Sequence, residues 1–154
     1  MSDSDDGSAP LARSLVGTWE LLSREEHTAA GERRIEPTLG ADPLGLLIYD
    51  RGGHFAAQFM KRDRSDAAEA PAAAAAANNS RARGGYDAYF GTYTVDEQAG
   101  TVTQRLLGAL SPENVGQTLT RAMLVAGDRL TIRVPTTDAR GEPVTRILIW
   151  RRVA

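Results

Sequence analysis

Arg121 stands in the run Leu119-Thr120-Arg121-Ala122-Met123-Leu124-Val125, at an alternate position shared with Leu119, Met123 and Val125. Alternate residues of an extended strand project to one face, so this arginine points where the apolar side chains point. A guanidinium carried into an apolar interior is costly unless it meets a carboxylate, several oxygens, trapped water or an anion. Two other polar groups converge on it. Tyr93 shares a face with Tyr89, Gly91 and Val95, and Gln104 shares one with Val102 and Leu106. The connection before residue 101 sets Tyr93 beside Gln104, and the connection over 107–117 sets Gln104 near Arg121. Glu25, read in register with Trp19, Leu21 and Ser23, could supply the missing negative charge. Such a cluster is either the anchor of an anionic or polar ligand group, or a satisfied polar network that specifies the interior.

His27 ends the first extended run beside Glu25 and Glu26, a setting in which an imidazole suits acid–base work. His54 follows a turn on the face opposite Phe55 and Phe59, which makes it solvent-facing or a turn partner, and Gln58 shares its face. Trp19, Trp150 and Arg152 fall toward one end by counting along their strands, where an arginine across a tryptophan is structural. No nucleophile elbow, phosphate loop, dinucleotide fingerprint or paired metal-ligand spacing occurs. Any catalysis would therefore shape a substrate and stabilise charge with Arg121, Tyr93 and Glu25, or with His27. Proton transfer, isomerisation or cyclisation suits that equipment better than hydrolysis.

These side chains need strands to position them. Apolar or alternating runs recur over 15–26, 44–49, 53–61, 86–95, 101–107, 117–125, 129–134 and 144–152. The connections alternate in length: 50–52, 96–100 and 126–128 are tight and contain glycine, whereas 27–43, 62–85, 108–116 and 135–143 are long. In an up-and-down meander, successive connections lie at opposite ends. The tight turns then close one rim and the long loops surround the other. The expectation is all-β: an eight-stranded antiparallel up-and-down barrel, whose interior is wide enough for side chains or one small ligand. The alanine run 67–77 adds a candidate short helix at the rim, and the long loops with Gly84-Gly85 make a candidate lid. Residues 1–13 read as a disordered acidic tail and 14–154 as the barrel domain.

Composition narrows the classes. The chain has 154 residues, enough for one core, with a formal charge of −2 and no basic stripe, so nucleic acid is not an expected partner. Cysteine is absent, which removes disulfides, thiolate metal sites and a cysteine nucleophile, and only two histidines occur. No metal or cofactor is expected. The N-terminus is acidic where a secretory signal would be basic and then apolar, and no apolar run reaches the length of a membrane span. These features predict a cytoplasmic protein without membrane association, either a monomer or a homodimer.

Leu15-Val16-Gly17-Thr18-Trp19-Glu20-Leu21 reads as the Gly-x-Trp opening of a calycin barrel. Gly45, Ile48-Tyr49-Asp50, Gly52-Gly53, Tyr89-x-Gly91-x-Tyr93, Ser111-Pro112-Glu113-Asn114, Gly116, Arg121, Gly127-Asp128-x-Leu130 and Trp150-Arg151-Arg152 follow in order. Together they resemble the bacterial and fungal lipocalin-like domain family over nearly all of Leu15 to Val153. The position of Gln104 is often histidine in that family, so no imidazole role carries over. The resemblance implies a small-molecule carrier or, as in some biosynthetic pathways, a cofactor-independent isomerase or cyclase acting on a polyketide-like intermediate of secondary metabolism. The expected ligand is small and largely apolar, anchored by Arg121, Tyr93 and Gln104. Ser23, Phe55, Phe59, Tyr89, Leu106 and Met123 are the remaining candidate pocket residues.

Overall fold

The computed structural model describes residues 9–65, 82–138 and 140–154. Residues 1–8 of the expected tail and the alanine run lie outside them. A short helix α1 (Leu11–Leu15) leads into nine strands: β1 (Gly17–Thr28), β2 (Arg33–Arg34), β3 (Leu44–Tyr49), β4 (His54–Met60), β5 (Tyr86–Asp96), β6 (Thr101–Ala109), β7 (Thr118–Ala126), β8 (Arg129–Thr137) and β9 (Pro143–Arg152). Every pairing is antiparallel, successive strands from β3 to β9 are neighbours, and β1 pairs with both β3 and β9. The sheet thus closes into the eight-stranded meander that the loop lengths predict, and closure removes both free edges.

The ninth strand, β2, was not foreseen. It folds back on the mouth half of β1, with Glu26 opposite Arg34 and His27 opposite Arg33. The expected long connection at 135–143 is also shorter, because β8 continues through Pro135. The ladder between β7 and β8 ends at the Ala122–Arg133 pair, so the missing N–H of Pro135 breaks no bond there. At 138–142 the Asp138 carboxylate accepts from the backbone N–H groups of Arg140 and Glu142, both at 2.9 Å, which fixes a compact turn.

Tight turns join β3 to β4, β5 to β6 and β7 to β8, and all lie at the base. Helix α1 covers this end, starting three residues before the expected domain boundary. The N–H groups of Leu11 and Ala12 donate to the Glu97 carboxylate at 2.7 and 2.9 Å, and Leu15 is fully buried. Trp19 donates its indole N–H to the Leu15 carbonyl at 3.0 Å, and the Arg152 guanidinium lies 4.3 Å from the centre of the Trp19 ring. Arg152 also donates to the carbonyls of Val16, at 2.8 Å, and Ser14. The base is therefore a structural plug, with the cation–π contact the sequence predicts.

One irregularity decides what the interior contains. The β1–β9 register shifts between Leu21 and Ser23, so that Leu21 faces Trp150 but Arg24 faces Leu148 and Glu26 faces Arg146. One extra residue in a strand reverses the facing of everything after it. Trp19 and Leu21 point inward, and beyond the bulge Arg24 and Glu26 do so, while Ser23, Glu25 and His27 turn to the outer face.

Candidate functional site

Above the plug, the alternating strands project Phe59 from β4, Tyr89 from β5, Gln104 from β6, and Arg121 and Met123 from β7 into one cavity. Met123 pairs with Ile132 and Val125 with Leu130, and Arg121 is buried on the same face, as its alternation with Leu119 and Met123 predicts. Arg24, Asp87 and Arg146 bring further charge to the lining, and Leu39, Leu148 and Trp150 bring apolar surface. The centre of a water-sized sphere has about 40 Å³ to move in, and the space out to the open side totals about 510 Å³.

Two of the buried charges are paired inside the barrel. Arg146 donates to the Glu26 carboxylate at 2.6 and 3.1 Å, and Glu26 is 2 % exposed. Arg24 donates to Glu36 at 2.9 Å. Glu36 also accepts from the N–H groups of Thr38 and Leu39, which holds the turn that carries Leu39 into the barrel mouth. Burial lowers the affinity of the Arg24 guanidinium for its proton, as does Arg146, while Glu36 opposes both. The Arg121 guanidinium is likewise pulled below its ordinary value by burial and by Arg146, against the phenols of Tyr89 and Tyr49.

Gln104 donates its amide N–H to the Tyr49 hydroxyl at 2.6 Å, and Tyr49 faces the Met123 sulfur at 3.8 Å. Burial raises the Tyr49 phenol far above its ordinary value, so it stays protonated and acts as a fixed hydrogen-bonding group. In two of the lining residues, the Gln104 amide oxygen and the Trp150 indole nitrogen are buried without a hydrogen-bond partner among the described residues. The Trp150 ring reaches the cavity edge-on to Phe59, with centroids 5.6 Å apart. Gly45 makes room for it, since a Cβ there would lie 2.8 Å from Leu21 Cβ and 3.3 Å from Trp150 Cη2.

The structure thus assembles five of the nine sequence-predicted pocket residues: Phe59, Tyr89, Gln104, Arg121 and Met123. Phe55 and Leu106 are buried in the core but do not line this cavity. Ser23 is turned away by the bulge. Tyr93 pairs with Gln104 in the ladder as predicted, but its ring packs edge-on to Tyr49 and its hydroxyl donates to the Asp50 carbonyl at 2.6 Å, at the base. Partial burial, and Asp50 beside it, raise the Tyr93 phenol above its ordinary value. Glu25 accepts from His27 at 3.1 Å and from Arg33 at 3.2 Å on the outer face, so neither Glu25 nor His27 meets Arg121. His54 is exposed beside Asp50, and Gln58 accepts from the Tyr86 hydroxyl at 3.0 Å, also outside.

Sequence reasoning missed Tyr49, Arg24, Glu26, Asp87 and Arg146. A signal existed for Arg146, which alternates with Val144, Leu148 and Trp150 as Arg121 does with Leu119 and Met123. Among the described residues no three His, Asp or Glu side chains gather as a metal cluster, and no helix is long and apolar enough to cross a membrane.

An eight-stranded calycin-type barrel with a polar-lined cavity defines the class. The model of the lipocalin-like domain matches residues 16–153, and the chain belongs to that family. Among solved structures it is similar to the crystal structure of Rv2717c from M. tuberculosis, with 13% identity and a TM-score of 0.38 over 96% of this chain and 99% of that one. No curated protein matches it.

Proposed function

We propose that the protein binds a small, largely apolar organic molecule whose anionic or polar group is held by Arg121 inside the barrel. The observation that carries this reading is the cavity itself. Apolar walls from Phe59, Met123, Leu148 and Trp150 surround a few buried polar groups, the usual composition of a small-molecule site. Three guanidinium groups and one carboxylate line it, and Glu36 and Glu26 neutralise Arg24 and Arg146. Arg121 is buried on the same lining, beside Tyr89, Gln104 and Met123. An anion beside it would offset the desolvation that lowers its proton affinity.

The cavity suits a small molecule whose apolar body lies against Phe59, Met123, Leu148 and Trp150. Arg121→Leu, which matches the neighbouring Leu119 and Met123, tests the reading. It should weaken an aromatic carboxylate such as benzoate at least tenfold, and the neutral benzamide by less than threefold, in a titration followed by NMR. Equal losses for both would reject an anion anchor. The alternative reading, a cofactor-independent isomerase or cyclase, draws no support from Glu25, which pairs with His27 and Arg33, or from Tyr93, whose hydroxyl meets Asp50.

A further inference from the structure

Outward on β3 stand Leu44, Leu46 and Ile48, which the ladder sets beside Met60, Gln58 and Ala56 of β4. Those three in turn lie beside Tyr86, Ala88 and Phe90 of β5. None of these outward residues is charged, and the two that carry polar groups bond to each other, Tyr86 donating to Gln58 at 3.0 Å. Leu22 extends the face across β1, two residues beyond the Glu20–Leu46 pair, and Leu107 extends it across β6 at the bulge beside Phe90. Charge marks its borders: Arg64 lies 5.4 Å from the centre of the Tyr86 ring at the mouth, and the Glu20–Arg151 ion pair stands on the side of β1. The far wall is different, with Arg129, Arg133 and Arg151 exposed on β8 and β9.

Leu22, Leu44, Leu46 and Ile48 are 39–41 % exposed, and Leu107 and Phe90 51 % and 56 %. At about 200 Å² for a fully exposed large apolar residue, these six present about 500 Å², toward the upper end of the patches that monomeric domains carry. We propose that this face binds a second copy of the chain, two barrels meeting sheet to sheet about a two-fold axis. Two such faces would bury about 1,000 Å² from these side chains alone, which reaches the size of a specific interface before Met60, the alanines and the rim are added. A two-fold contact sets a surface against itself, so a charged face repels its own image and an uncharged one does not. The relief suits such a contact as well. The Phe90 ring leans over Gly108, where an added Cβ would fall 2.4 Å from it, and this leaves Ala56 and Ala88 as a recess on its other side. An anionic lipid surface would call for Lys or Arg among the outward residues of β3, β4 and β5, and Leu44 to Ile48, Ala56 to Met60 and Tyr86 to Phe90 supply none.

Sedimentation of the full chain over about 1 to 500 µM tests the assignment. The mass should rise with concentration to that of two chains and level there. Leu46→Lys sets a charge at the centre of the face and should weaken the association about a hundredfold. Because Leu46 points away from the core, this variant should keep the far-ultraviolet dichroism of the parent chain. Ile48→Gln, a milder change on the same face, gives a second reading and should weaken the association about tenfold. Leu124→Lys makes the same change at a leucine on the outer side of β7, 66 % exposed, and should leave the dimer intact. The mass of one chain at every concentration would overturn the proposal, whether the face is left to water or covered by residues 66–81. A dimer that Leu46→Lys and Ile48→Gln both leave unchanged would overturn it too, since the contact would then lie on another wall. So would larger species without a two-chain plateau, or a chain that stays single and uses Leu46 to bind phosphatidylcholine vesicles.

Discussion

At the scale of single residues, the cavity depends on close approaches that leave no slack. Trp150 reaches the lining because position 45 has no side chain. A methyl group at Gly45 would stand within 2.8 Å of Leu21 and 3.3 Å of the far edge of the Trp150 ring, on a wall already filled by Phe59. Interiors packed at crystal-like density answer an added methyl by shifting neighbours, at a typical cost of about 1–3 kcal/mol. Gly45→Ala should therefore lower stability by about 2 kcal/mol in urea denaturation and alter the near-ultraviolet dichroism of Trp150. A variant with wild-type stability and spectrum would show that the ring does not lie against position 45. Gly91 serves a different end: its α-carbon sits at the β5–β6 register shift, where a Cβ would collide with the Arg105 carbonyl at 1.8 Å. The same bulge turns Phe90, 56 % exposed, outward across Gly108.

At the scale of elements, most of the barrel was legible in the residues and the inner charges were not, for one physical reason. Strand positions follow from alternation and from turn glycines, so β3 was bounded correctly and the others lay within a few residues. Arg121 was placed inward because no irregularity intervenes between Leu119 and Val125. In β1 the same counting carries past the extra residue at Leu22 and puts Glu25 inside in place of Glu26. The consecutive pair Leu21-Leu22 is the trace of that bulge in the sequence, since it breaks the alternation and leaves Leu22 exposed. Tyr49 stands beside the Asp50 turn, and nothing local says that it meets Gln104, a contact 55 residues apart. The bulge can be tested by contrast. Glu26→Gln leaves the buried Arg146 guanidinium without its counter-charge and should cost about 3–5 kcal/mol. Glu25→Gln removes only outer-face pairs with His27 and Arg33 and should cost less than about 1 kcal/mol. The reverse order in denaturation midpoints would mean that β1 runs without the bulge.

At the scale of the whole molecule, the two ends of the barrel are held by different physics, and acid should separate them. The base is closed by Leu15, Trp19 and Arg152 through apolar burial and a cation over a ring, none of which titrates in mild acid. The mouth is closed by the turn that carries Leu39, and this turn hangs on the Glu36 carboxylate, bonded at once to Arg24, Thr38 and the Leu39 N–H. Burial by itself would raise the Glu36 carboxyl, but Arg24 and the Thr38 hydroxyl and N–H outweigh it, and the group is held below its ordinary value. A carboxyl depressed in the folded state contributes its full stabilisation above the ordinary value of about 4.3 and loses it as pH falls through the folded value. The mouth turn should therefore stay closed at neutral pH and loosen below about pH 4, ahead of the base. Hydrogen exchange read at the Thr38 and Leu39 amides against the Trp19 indole N–H would show the order. In Glu36→Gln the turn should already exchange rapidly at pH 7. The variant should lose about 2–3 kcal/mol of stability there, because a nearly buried Arg24 has lost its partner, and its stability should fall less steeply between pH 5 and 3 than that of the parent chain. Parallel acid curves for the two proteins, or a Trp19 indole that opens with the turn, would place the acid-sensitive joint elsewhere in the barrel.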